Sequence, residues 1–272
     1  MNPGQKAKAR AFKDLHAAGT FALPNAWDAG SAALIGQSGA RAVGTTSGGV
    51  AWSLGKQDGQ ALSREEMVAQ VRRICAAVAL PVTADVEGGY GDVAATVAAV
   101  VDAGAVGVNL EDSVAPGEPL FTVAEQGERV RAARAAADAA GLADFVVNAR
   151  TDVFLFGVGE ESGRFDEVVH RATAYAEAGA DCVFVPGLLD LDSVAALVKA
   201  APIPVAVMAG PGAPTVADFA SVGVRRVSVG TGMAQAAYTL ARRAAEELVE
   251  RGTYDELAGS LDYFGVNGLF PR

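Results

Sequence analysis

The stretch Pro81-Val82-Thr83-Ala84-Asp85-Val86-Glu87-Gly88-Gly89-Tyr90-Gly91-Asp92 decides how this chain is read. It begins as a short apolar strand around Val82 and Ala84, meets two carboxylates two residues apart, and breaks at glycines before Asp92 starts a helix. Acids at i and i+2 on a strand end can both reach the opening above the sheet as the chain turns. Oxygen-only ligands on a stiff element suit a hard divalent ion, Mg²⁺ above all. The arrangement recurs downstream: Glu111-Asp112 closes the apolar run 105–110, and Arg150 and Asp152 follow the run 145–149. Charged groups at the C-terminal ends of successive strands are where barrel enzymes keep their chemistry.

Outward from this stretch, one unit recurs about every 25 to 40 residues: a short strand, a polar or Gly-rich turn, and an Ala-rich helix. Strands are expected at 20–24, 42–46, 81–86, 105–110, 145–150, 181–186, 203–208 and 226–229. Ser63-Arg64-Glu65-Glu66 reads as a capping box, residues 47–60 as a long Gly/Ser loop, 232–251 as a long helix and 253–263 as a short one. Eight alternations without a composition break predict an α/β fold, a (β/α)₈ TIM-type barrel spanning 1–272 as one domain, ahead of a doubly wound open sheet.

Bulk properties agree. With 272 residues, 51% of them hydrophobic but only 7% aromatic, the core must be built from Ala, Val and Leu. A net charge of −10 argues against nucleic-acid or anionic-membrane partners. Cys75 and Cys182 lie far apart in apolar segments, as expected of a reduced cytoplasmic protein with no disulfide framework. The basic N-terminus carries no long apolar stretch, so no secretory signal is expected, and no run of about 18 apolar residues suggests a membrane span.

Asp85, Glu87 and Glu111 are the candidate metal-holding acids; the plain alternative for any one of them is a helix cap. Asp92, at a helix start, reads as such a cap. Arg150 could clamp a substrate carboxylate or simply neutralise Glu111 or Asp112. Backbone N–H groups from Ser47 to Gly49 could cradle a carboxylate, and Trp52 and Leu54 argue against a solvated loop there. Asp58 is a turn residue or an acid/base group at the rim. The glycines at 210–212 and 230–232 are weak phosphate signals. His16 and His170 fall in helices and read as structural or surface residues.

Taken together, Thr46-Ser47-Gly48 with Leu54-Gly55-Lys56-Gln57-Asp58, Ala84-Asp85-Val86-Glu87-Gly88-Gly89-Tyr90-Gly91, Leu110-Glu111-Asp112 and Ala149-Arg150 resemble the isocitrate lyase/phosphoenolpyruvate mutase superfamily over nearly the whole chain. The resemblance implies Mg²⁺ among Asp85, Glu87 and Glu111, often through water. It implies a substrate carboxylate held by Thr46, Ser47, Gly48 and Arg150, and chemistry or metal-water contact at Asp58. It also implies a C-terminal segment, 232–272, exchanged between subunits of a homo-oligomer, a dimer or tetramer. The chain departs from the family's lyases in the connection 112–121, which holds no Cys, His or Lys; a released enolate would then be protonated by water or Glu118. Glu87 stands where the family more often has Asp. The expectation is a Mg²⁺-dependent enzyme acting on a small α-oxo or 2-hydroxy carboxylate, cleaving or rearranging a C–C or C–P bond through an enolate. The alternatives are a phosphonomutase of the phosphoenolpyruvate or carboxyphosphonoenolpyruvate type and a barrel that binds a carboxylate without turning it over.

Overall fold

The apolar runs form nine short parallel strands in the computed structural model, which describes residues 3–114 and 118–270. The first two, β1 (Phe21–Leu23) and β2 (Asn25–Ala26), are halves of one strand parted at Pro24, which has no N–H for a ladder. β3 (Val43–Thr45), β4 (Val82–Asp85), β5 (Gly107–Glu111) and β6 (Val146–Arg150) follow, then β7 (Cys182–Phe184), β8 (Val205–Met208) and β9 (Arg226–Ser228). β1 pairs with β9 and β2 with β3, so the sheet comes round into a nearly closed barrel through the interrupted strand. Asn25 ties the two sides of the gap: its amide donates to the Thr45 carbonyl at 3.1 Å and its oxygen accepts from Val229 N–H at 3.1 Å. The expected α/β barrel is the one observed, with its first strand split.

Helix α1 (Pro3–Ala17) packs at the N-terminal end of the strands and buries Ala9, Phe12 and His16. Gly107 makes room for it, since a Cβ there would stand 3.0 Å from Phe12 Cε1 and 2.9 Å from the Val146 carbonyl oxygen. Outside the barrel lie α2 (Ala29–Gly36), α4 (Arg64–Ala77), α5 (Val93–Asp102), α6 (Val123–Ala139), α7 (Arg164–Glu177), α8 (Leu191–Ala200) and α9 (Val216–Ser221). All of them but α7, which starts after Gly163, begin at a side-chain cap, including the expected Ser63–Glu66 box and Asp92, which accepts from Ala95 N–H at 3.0 Å.

Two expectations are corrected. The region 47–60 is not loop throughout, because Ser47–Ser53 forms helix α3. Gly48 and Gly49 lower helix propensity but are needed for close packing: a Cβ on Gly49 would sit 2.8 Å from Thr46 Cγ2 and from Trp27 Cβ. Trp52 is half-buried against Tyr238, whereas Leu54 is exposed. The expected short helix at 253–263 is instead a 3₁₀ turn at Asp255–Leu257 followed by α11 (Tyr263–Asn267).

Helix α10 (Gly232–Arg251) buries only Ala234 and Glu247. Beside β1 and β9 an apolar groove of about 590 Å³ runs past Phe21, Leu23, Val216, Val227, Val229 and Met233. Meanwhile Leu248, Val249, Tyr254, Leu261, Tyr263 and Phe264 are exposed. Glu247 fastens the last turn to α10 by accepting from Asp255 N–H at 2.8 Å and Glu256 N–H at 2.7 Å.

Candidate active site

The parallel register delivers the charged groups to one end of the barrel. Asp85 ends β4 beside Asn109, and Glu111 ends β5 directly beside Arg150 of β6. Asp85 is fixed from two sides: its N–H donates to Thr45 Oγ1 at 2.8 Å, and its Oδ2 accepts from Ser47 N–H at 3.0 Å. Its other oxygen, Oδ1, is buried without a hydrogen-bond partner. A buried carboxylate oxygen left unpaired costs free energy that a cation would recover.

Glu87 follows a break in the strand and has φ = 49°, a left-handed conformation unusual for a residue with a side chain. Such a residue costs about 1–3 kcal/mol and persists when its surroundings over-determine it. Here they do. Oε1 accepts from Gly59 N–H at 3.2 Å and from Gln60 N–H, Oε2 accepts from the Tyr90 hydroxyl at 2.5 Å, and the Glu87 carbonyl accepts from Glu111 N–H at 3.1 Å. Burial pushes the Glu87 carboxyl above the usual range, against the pull of Tyr90 and Gln60.

Arg150 donates through Nη1 to Glu111 Oε2 at 2.8 Å and through Nε to Asp152 Oδ1 at 2.6 Å. Burial opposes its charge, but Glu111, Asp152 and Asp85 outweigh that and raise its pKa. Glu111 is raised too, first by burial and then by the charges of Asp85, Asp152 and Glu87, while Arg150 pulls the other way. The 2.8 Å contact to a guanidinium that stays charged makes this an ion pair set in an excess of negative charge.

Asp58 reaches the same space from the α3–α4 connection. It remains open to solvent, yet the atoms around it, then Asp85, raise its pKa, while Gly59 N–H, the Ser47 hydroxyl and Arg150 lower it. Gly48 lies between Asp58 and Thr231: a Cβ there would come within 2.8 Å of Asp58 Oδ2 and of Thr231 Cγ2. Asp58, Ser47, Arg150 and Leu155 border two adjoining cavities of about 170 and 150 Å³; Asp85 lines the first, Glu87 and Glu111 the second.

The structure therefore gathers Asp58, Asp85, Glu87, Glu111, Arg150, Thr46 and Ser47 around one opening, with Gly48 at its edge. It does not bring Glu118 there: that side chain is exposed and borders neither cavity. The cradle of amides is also reduced, since Ser47 N–H is held by Asp85 and Thr46 N–H by the Ala26 carbonyl. His16 is buried and His170 exposed, neither at the site.

Residues whose roles the sequence did not reveal complete the support. Asp152, besides binding Arg150, accepts from the Ser113 hydroxyl at 2.6 Å, and its N–H donates to Asp112 Oδ1 at 3.0 Å. Asp112 in turn accepts from Arg171 at 2.9 Å and the Tyr175 hydroxyl at 2.8 Å, pinning the strand ends to α7. Inside the barrel the fully buried Arg226 donates to Asn109 Oδ1 at 2.8 Å, beneath the acids. The only signal for these contacts was the presence of charge in apolar stretches.

Among the described residues, no three His, Cys, Asp or Glu side chains are grouped so as to hold a metal directly. The donor set fits Mg²⁺ in another way. Mg²⁺ retains several waters and needs one or two protein carboxylates; Asp85 has a free oxygen, and Glu87, Glu111 and Asp58 stand around it as acceptors for water.

The comparisons place this arrangement in a family. A family model described as phosphoenolpyruvate phosphomutase matches residues 12–249. An uncharacterized protein of Mycobacterium tuberculosis (strain H37Rv) is 36% identical over 93% of this chain and 96% of its own. The 2-methylisocitrate lyase of Escherichia coli K12 is 31% identical over 75% of this chain and 69% of its own. A crystal structure of phosphonopyruvate hydrolase with oxalate and Mg²⁺ superposes with a TM-score of 0.83 at 27% identity, covering 96% of this chain and 95% of the other. The chain belongs to the phosphoenolpyruvate phosphomutase family, within the isocitrate lyase/PEP mutase superfamily of enzymes.

Proposed function

We propose that this protein is a Mg²⁺-dependent enzyme that cleaves or rearranges a C–C or C–P bond of a small α-oxo or 2-hydroxy carboxylate through an enolate, with lyase or decarboxylase-like cleavage ahead of phosphonomutation. The observation that carries the reading is the unpaired, buried Asp85 Oδ1 among carboxylates that face one guanidinium. Asp85 would hold the ion directly, and Glu87 and Glu111 its waters. When bound, the ion supplies positive charge to an enolate oxygen.

The rest falls to the chain's own groups. Arg150, oriented by Glu111 and Asp152, holds the substrate carboxylate, with the Gly48 amide and the Thr46 and Ser47 hydroxyls at its edge. Asp58 exchanges the proton: it borders both cavities, and burial and then the Asp85 charge raise its pKa above the ordinary carboxylate value. Solvent reaches it, so a released enolate needs no donor from the 112–121 connection.

Two further features belong to the proposal. A second copy of the chain covers the groove beside β1 and β9 with its own exposed C-terminal segment, giving a homo-oligomer by helix exchange. Two free cysteines suit a reducing, cytoplasmic compartment, and among the described residues no helix is long and apolar enough to cross a membrane.

The test is proton exchange followed by NMR. Pyruvate, oxaloacetate, phosphonopyruvate and 2-methylisocitrate are incubated in deuterated buffer with and without Mg²⁺, using Asp85→Ala as the control. Metal-dependent cleavage or deuterium uptake at C3, lost in the variant, is expected. Mg²⁺ and carboxylate binding without exchange or cleavage would make the protein a binder instead.

A further inference from the structure

We infer that Asn109 is a substrate-binding residue: its Nδ2 donates a hydrogen bond to an oxygen at the chelating end of the substrate, and Arg226, in the barrel interior, holds the amide in the orientation that allows it. The inference rests on the reading of Asp85 and Arg150 above and adds to it a neutral donor and the residue that positions that donor.

The alternation of a strand puts Asn109 on the same face of β5 as Glu111, two residues on. In the ladder Asn109 stands beside Asp85, and β5 lies between the strands that end in Asp85 and Arg150. Its side chain borders the larger cavity together with both of them. A donor placed there meets the oxygens that the metal and the guanidinium would hold.

Which atom of the amide faces the cavity follows from its partners. Arg226 reaches across from β9, on the far side of the barrel, and donates through Nη2 to Asn109 Oδ1 at 2.8 Å; Asn148 donates to the same oxygen at 2.7 Å. A guanidinium carries donors and no acceptor, so the atom it meets must be the oxygen. Arg226 is fully buried and borders neither cavity. With Oδ1 drawn down onto it, Nδ2 is the group left to the cavity. Asp85 does not take it up: Oδ2 of Asp85 accepts from Ser47 N–H, and Oδ1 has no hydrogen-bond partner. Asn25, the other side-chain amide bordering this cavity among the described residues, has both ends committed, to Thr45 and Val229.

Stability does not account for Arg226. A guanidinium taken out of water costs free energy unless a carboxylate and hydrogen bonds compensate. Here Nη1 is buried without a partner, and Nη2 meets a neutral amide. Locking the amide oxygen downward is what the cation achieves and an apolar side chain would not. A neutral donor also suits the site: where Asp58, Asp85, Glu87 and Glu111 face one guanidinium, it attracts an oxyanion without being captured by the acids.

Oxalate, which offers the chelating end alone, is the probe, with calorimetry on the full chain and Mg²⁺. Asn109→Leu/Arg226→Met replaces amide and cation together by apolar side chains of similar size and leaves Asp85 and Arg150 in place. It should bind oxalate at least about tenfold more weakly, the effect of one lost hydrogen bond to a charged group. Arg226→Met alone frees the amide to turn and should also weaken binding, and Arg226→Lys, again a donor with no acceptor, should recover most of that loss. NMR of protein isotopically labelled at asparagine nitrogens gives a second readout that does not depend on the double variant folding. Asn109→Asp keeps an oxygen for Arg226 and identifies the Asn109 side-chain signal by its disappearance; in the wild type that signal should move when oxalate is added to the Mg²⁺-loaded protein. Oxalate bound as tightly by the double variant as by wild type, or an Asn109 signal that oxalate does not move, would overturn the inference and leave the metal site standing. Arg226→Met binding as tightly as wild type, or Arg226→Lys as weakly as Arg226→Met, would overturn the positioning role. Absence of Mg²⁺-dependent oxalate binding by wild type would overturn the reading of the site itself.

Discussion

His16 allows a prediction with a magnitude. The side chain is buried at the N-terminal end of the barrel, edge-on to Phe12 at 4.8 Å and Phe21 at 5.0 Å. Its Nδ1 lies 2.9 Å from the Phe12 carbonyl, and Nε2 is buried without a partner. Burial, reinforced by the Arg226 charge, lowers its pKa from 6.5 to about 3. The folded state thus holds a neutral ring that the unfolded chain would protonate below pH 6.5. A depressed folded value means that stability is complete above about 6.5 and is lost as the pH falls toward 3. At about 1.4 kcal/mol per pH unit, the loss amounts to roughly 3 kcal/mol by pH 4.5 and about 5 kcal/mol by pH 3. His16→Phe removes the titration, keeps a ring among the two phenylalanines and gives up the bond to Phe12, worth about 1 kcal/mol. Urea unfolding followed by circular dichroism should find the variant near or slightly below wild type at pH 7.5 and about 2 kcal/mol more stable at pH 4.5. Parallel stability–pH curves for the two proteins would refute the claim that His16 is buried in its neutral form.

The site predictions use other readouts. Saturating Mg²⁺, at about 100 times Kd, should stabilise the protein by about 2.7 kcal/mol and raise Tm by several degrees, a shift that Asp85→Ala abolishes in differential scanning fluorimetry. Asp58→Asn should lower kcat by at least about 100-fold on whichever substrate the exchange screen finds, whereas Glu118→Gln should stay within about twofold, because Glu118 lies outside both cavities. Asp112→Asn leaves the buried Arg171 with only the half-buried Glu167 as counter-charge and should destabilise the fold by about 3 kcal/mol in denaturant titration. Phe264→Asp, at an exposed position of α11, should convert an oligomer to a smaller species by light scattering; an unchanged mass would count against the exchanged C-terminal segment.

The barrel was legible because the same unit repeats: β-branched strand, polar turn, Ala-rich helix. Even the capping box at Ser63 and Glu66 could be read in advance, since both partners lie within one turn. What escaped depended on long-range packing. Residues 47–53 read as loop because two glycines and two serines have poor helix propensity, and the helix forms because Thr46, Trp27 and Ala234 close in where no Cβ projects. Local propensity could not see those neighbours. At the site, the strand-end acids and Arg150 were visible as residue types, but their division of labour was not. Asp85 and Glu87 look equivalent two residues apart. Only the fold gives Glu87 a left-handed backbone with its oxygens taken by Gly59, Gln60 and Tyr90, and leaves Asp85 with a free oxygen. The same holds for the lining of the cavity. A single guanidinium shared with Glu111 and Asp152, and a wall of Leu155, Phe184 and Met208, are properties of four different strand ends and loops meeting in space. The acids are readable from the chain as residue types, while the way they share Arg150 and leave one Asp85 oxygen open belongs to the fold.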